Sequence, residues 1–440
     1  MNLQLPVYDW EKLDTAQRAA VLKRPAQKNA AELFDGVRTI IDDVRTRGDA
    51  ALLDFTQRFD GVTLDAFEVS AGEFQAAERE LTKEQLAAVD RAIDNVQRFH
   101  KAQRPQTLRM EVSPGVVCEQ IHRPIEAVGL YVPAGTAPLP SAAIMLAVPA
   151  RIAGCTTRVL CTPPRKDGTA DPAVLVAARR CGATRVFKVG GAQAIAAMAF
   201  GTQSVPKTDK LYGPGNAWVT AAKILVANDA DGAALDLPAG PSEVLVLADD
   251  TARAEFVAAD LLAQAEHSVD AQVVLVTTSR TLAAAVVVEL GIQLSRLSRG
   301  ALLNQAIEHA RLIVVSDIRT AIEVSNTYAP EHLILQIREP RAQLDALRNA
   351  GSIFVGAYTP ETMGDYCTGA NHVLPTYGFA RAFSGLSLAD FMKRMTVQEL
   401  SADGIKDLGP TAITLAHTEG LDAHANAVQL RLSALQGGKR

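Results

Sequence analysis

Six short patches carry side chains able to bind a metal ion, accept a proton or face a cationic ligand: Gln264-Ala-Glu-His267, Glu331-His332, Gly364-Asp365, Asn371-His372, Glu419 and His424. Gln, His, Asp and Glu separated by tens of residues are what a site assembled by folding looks like, and an enzyme is the leading reading. Gln264 and His267 fall in a segment, 258–267, whose Leu261, Leu262 and Ala265 suit a core-facing helix, and their spacing puts both on one face. An imidazole nitrogen and an amide oxygen there can reach one metal ion, with Asp365 and His424 completing a nitrogen and oxygen set that zinc accepts. The plainer reading of a helical Gln-x-x-His is a capped or solvated pair. Glu331-His332 follows Tyr328-Ala-Pro330 and precedes the apolar Leu333-Ile-Leu-Gln336, so the pair stands where a loop leads into a strand, a common place for active-site residues. An imidazole with a pKa of about 6.5 is the usual general base, and an adjacent carboxylate can tune it or activate water. The alternative is an exposed Glu beside a strand-edge His.

Two glycine-rich turns, Gly190-Gly-Ala-Gln193 and Gly213-Pro-Gly-Asn216, open helical patterns at 194–200 and 217–227. Helix N-termini of this kind hold phosphate on free backbone amides. Neither is a GxGxxG, and no acidic residue completes a dinucleotide fingerprint, so alone they are also ordinary tight turns. Cys367, two residues after Asp365, is the one thiol placed for nucleophilic chemistry, but no basic residue adjoins it to lower its pKa. His100, His122, His309 and His417 read as structural.

The elements that must position these groups are legible in the apolar pattern. Residues 27–59 carry apolar positions at helical spacing with a break at Gly48, a second amphipathic helix spans about 83–101, and 108–121 alternates around Ser113-Pro114-Gly115 as a β-hairpin. From Ile125 onward, short runs (128–132, 159–161, 186–189, 244–247, 273–276, 312–315, 333–336 and 353–355) alternate with alanine-rich helical segments, the signature of βαβ units and a mostly parallel sheet. The Pro- and Gly-rich stretches 132–140 and 237–241 look like crossings between lobes. The expected organisation is an N-terminal helical segment at 1–25, a main α/β domain from 26–130 with 242–386, an inserted α/β domain at 131–241, and a tail at 387–440. The tail holds helical patterns near 389–395 and 423–435 joined by a strand-like 412–416. It is too small to hold a core alone and is expected to pack on another surface, such as that of a second subunit.

At 440 residues and 48% hydrophobic content the chain is an ordinary globular protein of two or three domains. A net charge of −5, from 44 basic and 49 acidic residues, gives no polybasic groove for nucleic acid or an anionic membrane, which leaves a small molecule as the default ligand. Five cysteines without a CxxC pair suggest reduced thiols in a cytoplasm. Neither an export signal nor a membrane span is visible.

The chain carries, in order, Tyr131-Val-Pro-Ala-Gly, Gly190-Gly-Ala-Gln-Ala-Ile, Gly213-Pro-Gly-Asn, Ala239-Gly-Pro-Ser-Glu, Gln264-Ala-Glu-His, Ala329-Pro-Glu-His, Gly364-Asp-Tyr, Asn371-His-Val-Leu-Pro-Thr and Glu419-Gly-Leu-Asp-Ala-His. With these it resembles the histidinol dehydrogenases over about residues 30–435. The resemblance implies two incomplete, Rossmann-like parallel-sheet α/β domains, with small helical terminal segments packed at a dimer interface. It further implies a zinc-dependent homodimer that oxidises L-histidinol to L-histidine with two NAD⁺ through a bound aldehyde, the last two steps of histidine biosynthesis. Carried onto these positions, Gln264, His267 and Asp365 would bind zinc in one subunit and His424 would come from its partner. His332 would be the base, and Glu331 would activate water for the second oxidation. Ser242, His372 and Glu419 would line the substrate pocket together with the zinc ligands and the catalytic pair, and Tyr131, Gln193 and Asn216 would contact NAD⁺.

The chain departs from the family at Ala134, where a second glycine is usual, at Ser268, where an acidic residue is frequent, and at Cys367, in place of a small alanine. Three rival readings have their own tests. A relative acting on another small alcohol would turn that alcohol over in preference. A zinc hydrolase would act without NAD⁺, and a non-catalytic binding protein would show no turnover.

Overall fold

Runs of Val, Ile and Leu without polar alternation cannot present a wet face, so the sheets they form must be covered on both sides. The computed structural model describes residues 3–24, 30–134, 137–238 and 240–437 and has that arrangement twice. Its strands in chain order are β1 (Val7–Asp9), β2 (Leu108–Ser113), β3 (Val116–Pro124), β4 (Ala127–Tyr131), β5 (Thr157–Thr162), β6 (Arg185–Lys188), β7 (Lys210–Tyr212), β8 (Ala234–Leu235), β9 (Glu243–Ala248), β10 (Gln272–Thr277), β11 (Arg311–Val314), β12 (His332–Gln336), β13 (Ser352–Val355) and β14 (Met392–Leu400). One parallel sheet runs β6-β5-β4-β7-β8 and a second runs β1-β11-β10-β9-β12-β13. Counted along the chain from β4 or from β9, each has the order 3-2-1-4-5, the Rossmann order short of its sixth strand. β9 and β10 are buried at every position, as strands covered on both faces must be.

The chain divides into two compact units, Met1–Gln103 with Ile125–Asp390, and Arg104–Pro124 with Phe391–Arg440. Both parallel sheets belong to the first. Within it the lead-in breaks at Gly48 into helices Ala30–Arg47 and Asp49–Phe55, as its sequence indicates. These helices, grouped by sequence with 242–386, instead bury Val37, Ile40, Ile41, Val44 and Leu52 against Ile195, Met198 and Val219 of the β4–β8 layer. Amphipathic spacing marks which face is buried but not which sheet covers it. The N-terminal segment is also not wholly helical, since β1 adds an edge strand parallel to β11 before helix Thr15–Val21. Residues 25–29 of the lead-in, and Gly135, Thr136 and Ala239 of the two crossings, lie outside the described residues.

The second unit is an antiparallel sheet, β14-β3-β2, with helices Ala402–Thr418 and Asp422–Gly437. The hairpin at 108–121 is present. The tail differs from its sequence reading: 392–400 is a strand paired along its whole length with β3, and 412–416 lies inside a helix capped by Ser401. The β-branched Thr411, Ile413 and Thr414 imitate a strand locally, while packing between the two tail helices sets the outcome. Among the described residues no helix is long and apolar enough to cross a membrane.

Candidate active site

In the β9–β13 sheet the strand order reverses between β9 and β12, and the usual ligand crevice would open at their carboxyl ends. There Asp249 ties the two strands together, its amide donating to Gln336 O at 3.2 Å and its Oδ2 accepting the Arg338 amide at 2.8 Å. The chemistry-bearing residues gather at the opposite, amino ends.

His332 opens β12 in register with Val244, so Glu331 and His332 lie beside Glu243 at the start of β9. The Glu243 amide donates to Glu331 Oε2 at 2.8 Å, and the Glu243 carbonyl accepts from His332 Nδ1 at 3.0 Å. A carbonyl only accepts, so in this contact Nδ1 carries a proton, and Nε2 holds the lone pair whenever the ring is neutral. That Nε2 is buried without a hydrogen-bond partner, and Asp365 Oδ1 faces it at 3.7 Å, too far to bond. Phe354 packs against the ring, with centroids 5.9 Å apart. Gly364 makes room for that phenyl group, since a Cβ there would stand 2.6 Å from it. The turn into β12 is tight: Ala329 takes a left-handed φ of 54°, at a cost of roughly 1–2 kcal/mol.

Helix Ala254–Ala265 ends at this edge, which puts buried Gln264 in its last turn and His267 just beyond its cap. The carbonyl end of a helix favours positive charge, whether a metal or a cationic substrate. Asp365, on helix Glu361–Tyr366, stands between two imidazoles, with Oδ2 at 3.9 Å from His267 Nε2 and Oδ1 at 3.7 Å from His332 Nε2. His372 Nδ1 lies 2.9 Å from the Asp365 carbonyl, and Asn371 donates to Met145 O at 2.7 Å, fixing the loop that carries both.

The electrostatics follow from burial among like charges. Burial raises the pKa of Glu331. It disfavours a charged His332, but Glu331, Asp365 and Glu361 outweigh it and raise that imidazole. Burial also opposes ionisation of Asp365, whose neighbouring histidines nonetheless hold it below the ordinary carboxylate range.

Glu361, buried and missed in the sequence, receives the Gln264 amide nitrogen at 3.0 and 3.2 Å, which leaves the amide oxygen for another partner. Its spacing of four from Asp365, one helical turn, was the available signal. Gln264, His267 and Asp365 thus offer an amide oxygen, an imidazole nitrogen and a carboxylate oxygen. Two donors on a tetrahedral zinc lie roughly 3.4 Å apart, and the 3.9 Å between His267 and Asp365 is close to that spacing, so this pair is chemically and geometrically compatible with zinc. Among the described residues no three His, Cys, Asp or Glu side chains are grouped so that they could hold a metal ion. Ser242 precedes β9 beside the same edge. Glu419, the cap of helix Ala402–Thr418, and His424 belong to the second unit, where both are exposed.

Tyr131 ends β4, and Gln193 and Asn216 follow β6 and β7, so all three stand at the carboxyl edge of the other parallel sheet, and β4 and β7 flank its switch point. Tyr131 and Gln193 are buried, and Tyr131 Oη accepts the Gly191 amide at 3.0 Å. Asn216 caps its helix by accepting from Trp218 and Val219. Gly213 has a φ of 121° and sits against Tyr131 O, where no Cβ fits.

One buried acid beside the site makes a pH test. Asp260, which accepts from Gln336 at 2.7 Å, is raised by burial to about 7. The folded protein therefore holds a proton that the unfolded chain releases near pH 4, and stability falls as pH rises from there to about 7. Asp260→Asn is expected to raise Tm by a few degrees at pH 8 and by nothing at pH 4, as measured by thermal unfolding.

The family model for histidinol dehydrogenase matches residues 22–432. The chain belongs to the histidinol dehydrogenase family. It is 57% identical over 428 residues to histidinol dehydrogenase of Xanthomonas oryzae pv. oryzae, covering 97% of this chain and 99% of that one. It is 52% identical over 426 residues to the Vibrio parahaemolyticus enzyme, covering 97% and 98%. The crystal structure of histidinol dehydrogenase from Elizabethkingia anophelis superposes with a TM-score of 0.94 at 42% identity over 99% of both chains. Family membership makes the chain an oxidoreductase and accounts for the two incomplete Rossmann-like sheets.

Proposed function

We propose that this chain oxidises L-histidinol to L-histidine in the last two steps of histidine biosynthesis, releasing two NADH and three protons per alcohol and consuming one water. The observation that carries the reading is His332, whose ring orientation is fixed through Nδ1 and whose buried Nε2 is left free to take a proton. Gln264, His267 and Asp365, with His424, would hold a zinc ion, which when bound orients the substrate through its nitrogens. Tyr131, Gln193 and Asn216 would hold NAD⁺, which when bound would supply the hydride acceptor for each half.

In the first half His332 Nε2 takes the hydroxyl proton as hydride leaves carbon. In the second, Glu331 removes a proton from the water that adds to the aldehyde, and His332 takes the hydrate's proton as the second hydride departs. Burial makes Glu331 a stronger base once ionised, which suits it to water. Ser242, His372 and Glu419 would line the pocket, where Glu419 and Asp365 suit a cationic substrate. The second unit exposes Leu108, Met110, Val112, Met395, Leu415 and Leu430, a large apolar surface for so small a unit. This supports a homodimer in which that unit covers itself on a second copy and delivers His424 across the interface. The cytoplasmic reading rests on five cysteines that form no disulfide with one another.

The test is NADH formed per histidinol consumed, with zinc and after chelation. Two NADH, histidine as product and loss of activity on chelation are expected. One NADH would mean an enzyme that releases the aldehyde, and none would overturn the assignment.

A further inference from the structure

Glu243 contributes no atom to the proposed chemistry, yet its backbone holds both catalytic residues, through its N–H to Glu331 and its C=O to His332. What holds Glu243 comes from far along the chain. Arg24 makes a bidentate pair with its carboxylate, Nε to Oε1 at 2.5 Å and Nη2 to Oε2 at 2.8 Å. The same guanidinium donates to the carbonyls of Tyr328 at 2.8 Å and Ala329 at 3.3 Å, and its carbon lies 4.0 Å from the centre of the Tyr328 ring. The Tyr377 amide adds a further bond to Glu243 Oε1 at 2.8 Å, from a residue with a left-handed φ of 57°. The two side chains are only 11% and 2% exposed, so the pair is screened little by solvent.

We infer that Arg24 is a positioning residue for the oxidation. Its planar fork clamps the start of β9 to the strained turn that leads into Glu331 and His332, and so sets where Nε2 points. The inference rests on the catalytic reading of His332. A surface-type ion pair would add stability alone, whereas this one joins the two backbone segments that the base depends on. Lysine supplies the charge but not the fork or the stacking on Tyr328. Small displacements of a reacting group, of about 1 Å, cost up to about 100-fold in rate.

The test measures kcat, KM for histidinol and zinc content in Arg24→Lys, in Arg24→Met/Glu243→Gln and in His332→Ala. In Arg24→Lys kcat is expected to fall about 10-fold, with KM within about twofold and zinc unchanged. The double variant removes both buried charges, so no bare carboxylate is left to unfold the protein, and it is expected to fold and to lose at least as much kcat. Wild-type kcat in either, or a loss confined to KM or zinc, overturns the inference. If His332→Ala keeps full turnover, the catalytic reading falls and this inference with it. An inactive His332→Ala beside wild-type Arg24 variants removes the anchoring role alone.

Discussion

Replacing His332 with alanine is expected to lower kcat by roughly 10² to 10⁴ while zinc stays bound, the usual loss when a general base is removed. The ring is not among the proposed metal donors. Its Nδ1 is spent on the Glu243 carbonyl, and Nε2 lies 3.7 Å from Asp365. Its removal takes away the proton acceptor and leaves Gln264, His267 and Asp365 in place. The base works only when deprotonated, so wild-type kcat should rise with pH through the ionisation of this imidazole, and that limb should vanish in the variant. Turnover is followed by NADH absorbance and metal by elemental analysis. Loss of zinc along with activity would move His332 from base to ligand.

The site became legible in proportion to how much of it is side-chain chemistry. Glu331-His332 before an apolar run placed the pair at a strand's start, and that is where β12 begins. The spacing of Gln264 and His267 predicts a shared helical face. The helix ends between them, and the His267 amide donates to the Gln264 carbonyl at 3.2 Å just past the cap. What was not legible is carried by backbone groups or by remote partners. The tautomer of His332 depends on the carbonyl of Glu243, and the clamp on Glu243 comes from Arg24, whose sequence context says nothing of it. The strands were readable because Val, Ile and Leu runs that are buried on both faces need no partner to be recognised. Their order, and the sheet that receives helices 30–55, depend on packing between segments well over a hundred residues apart. The tail misled because Phe391, Met392 and Met395 mimic helical spacing while the neighbour that turns the segment into a strand, β3, lies some 270 residues earlier in the chain.

Metal loss should be as severe as loss of the base. It can also decide how the site is shared. Asp365 is the one anion among the proposed ligands and sits between His267 and His332, so Asp365→Ala removes the charge that makes a divalent ion affordable there. Removing a group that merely supports a ligand costs metal sites about 10- to 100-fold in affinity, and removal of the ligand itself is expected to exceed about 100-fold. His424→Ala should weaken zinc as well, although His424 lies in the other compact unit. Each variant alone is expected to be nearly inactive. Mixed and allowed to exchange subunits, they separate two architectures. If His424 reaches the partner's site, each mixed dimer pairs the intact Asp365 of one chain with the intact His424 of the other. One site of its two is then whole, and random exchange should restore about one quarter of wild-type activity and of bound zinc. If each site is built from a single chain, every site in the mixture lacks a ligand and nothing returns. Zinc content and turnover in the separated mixed dimer therefore test the crossing of the tail directly, because neither variant can supply activity by itself.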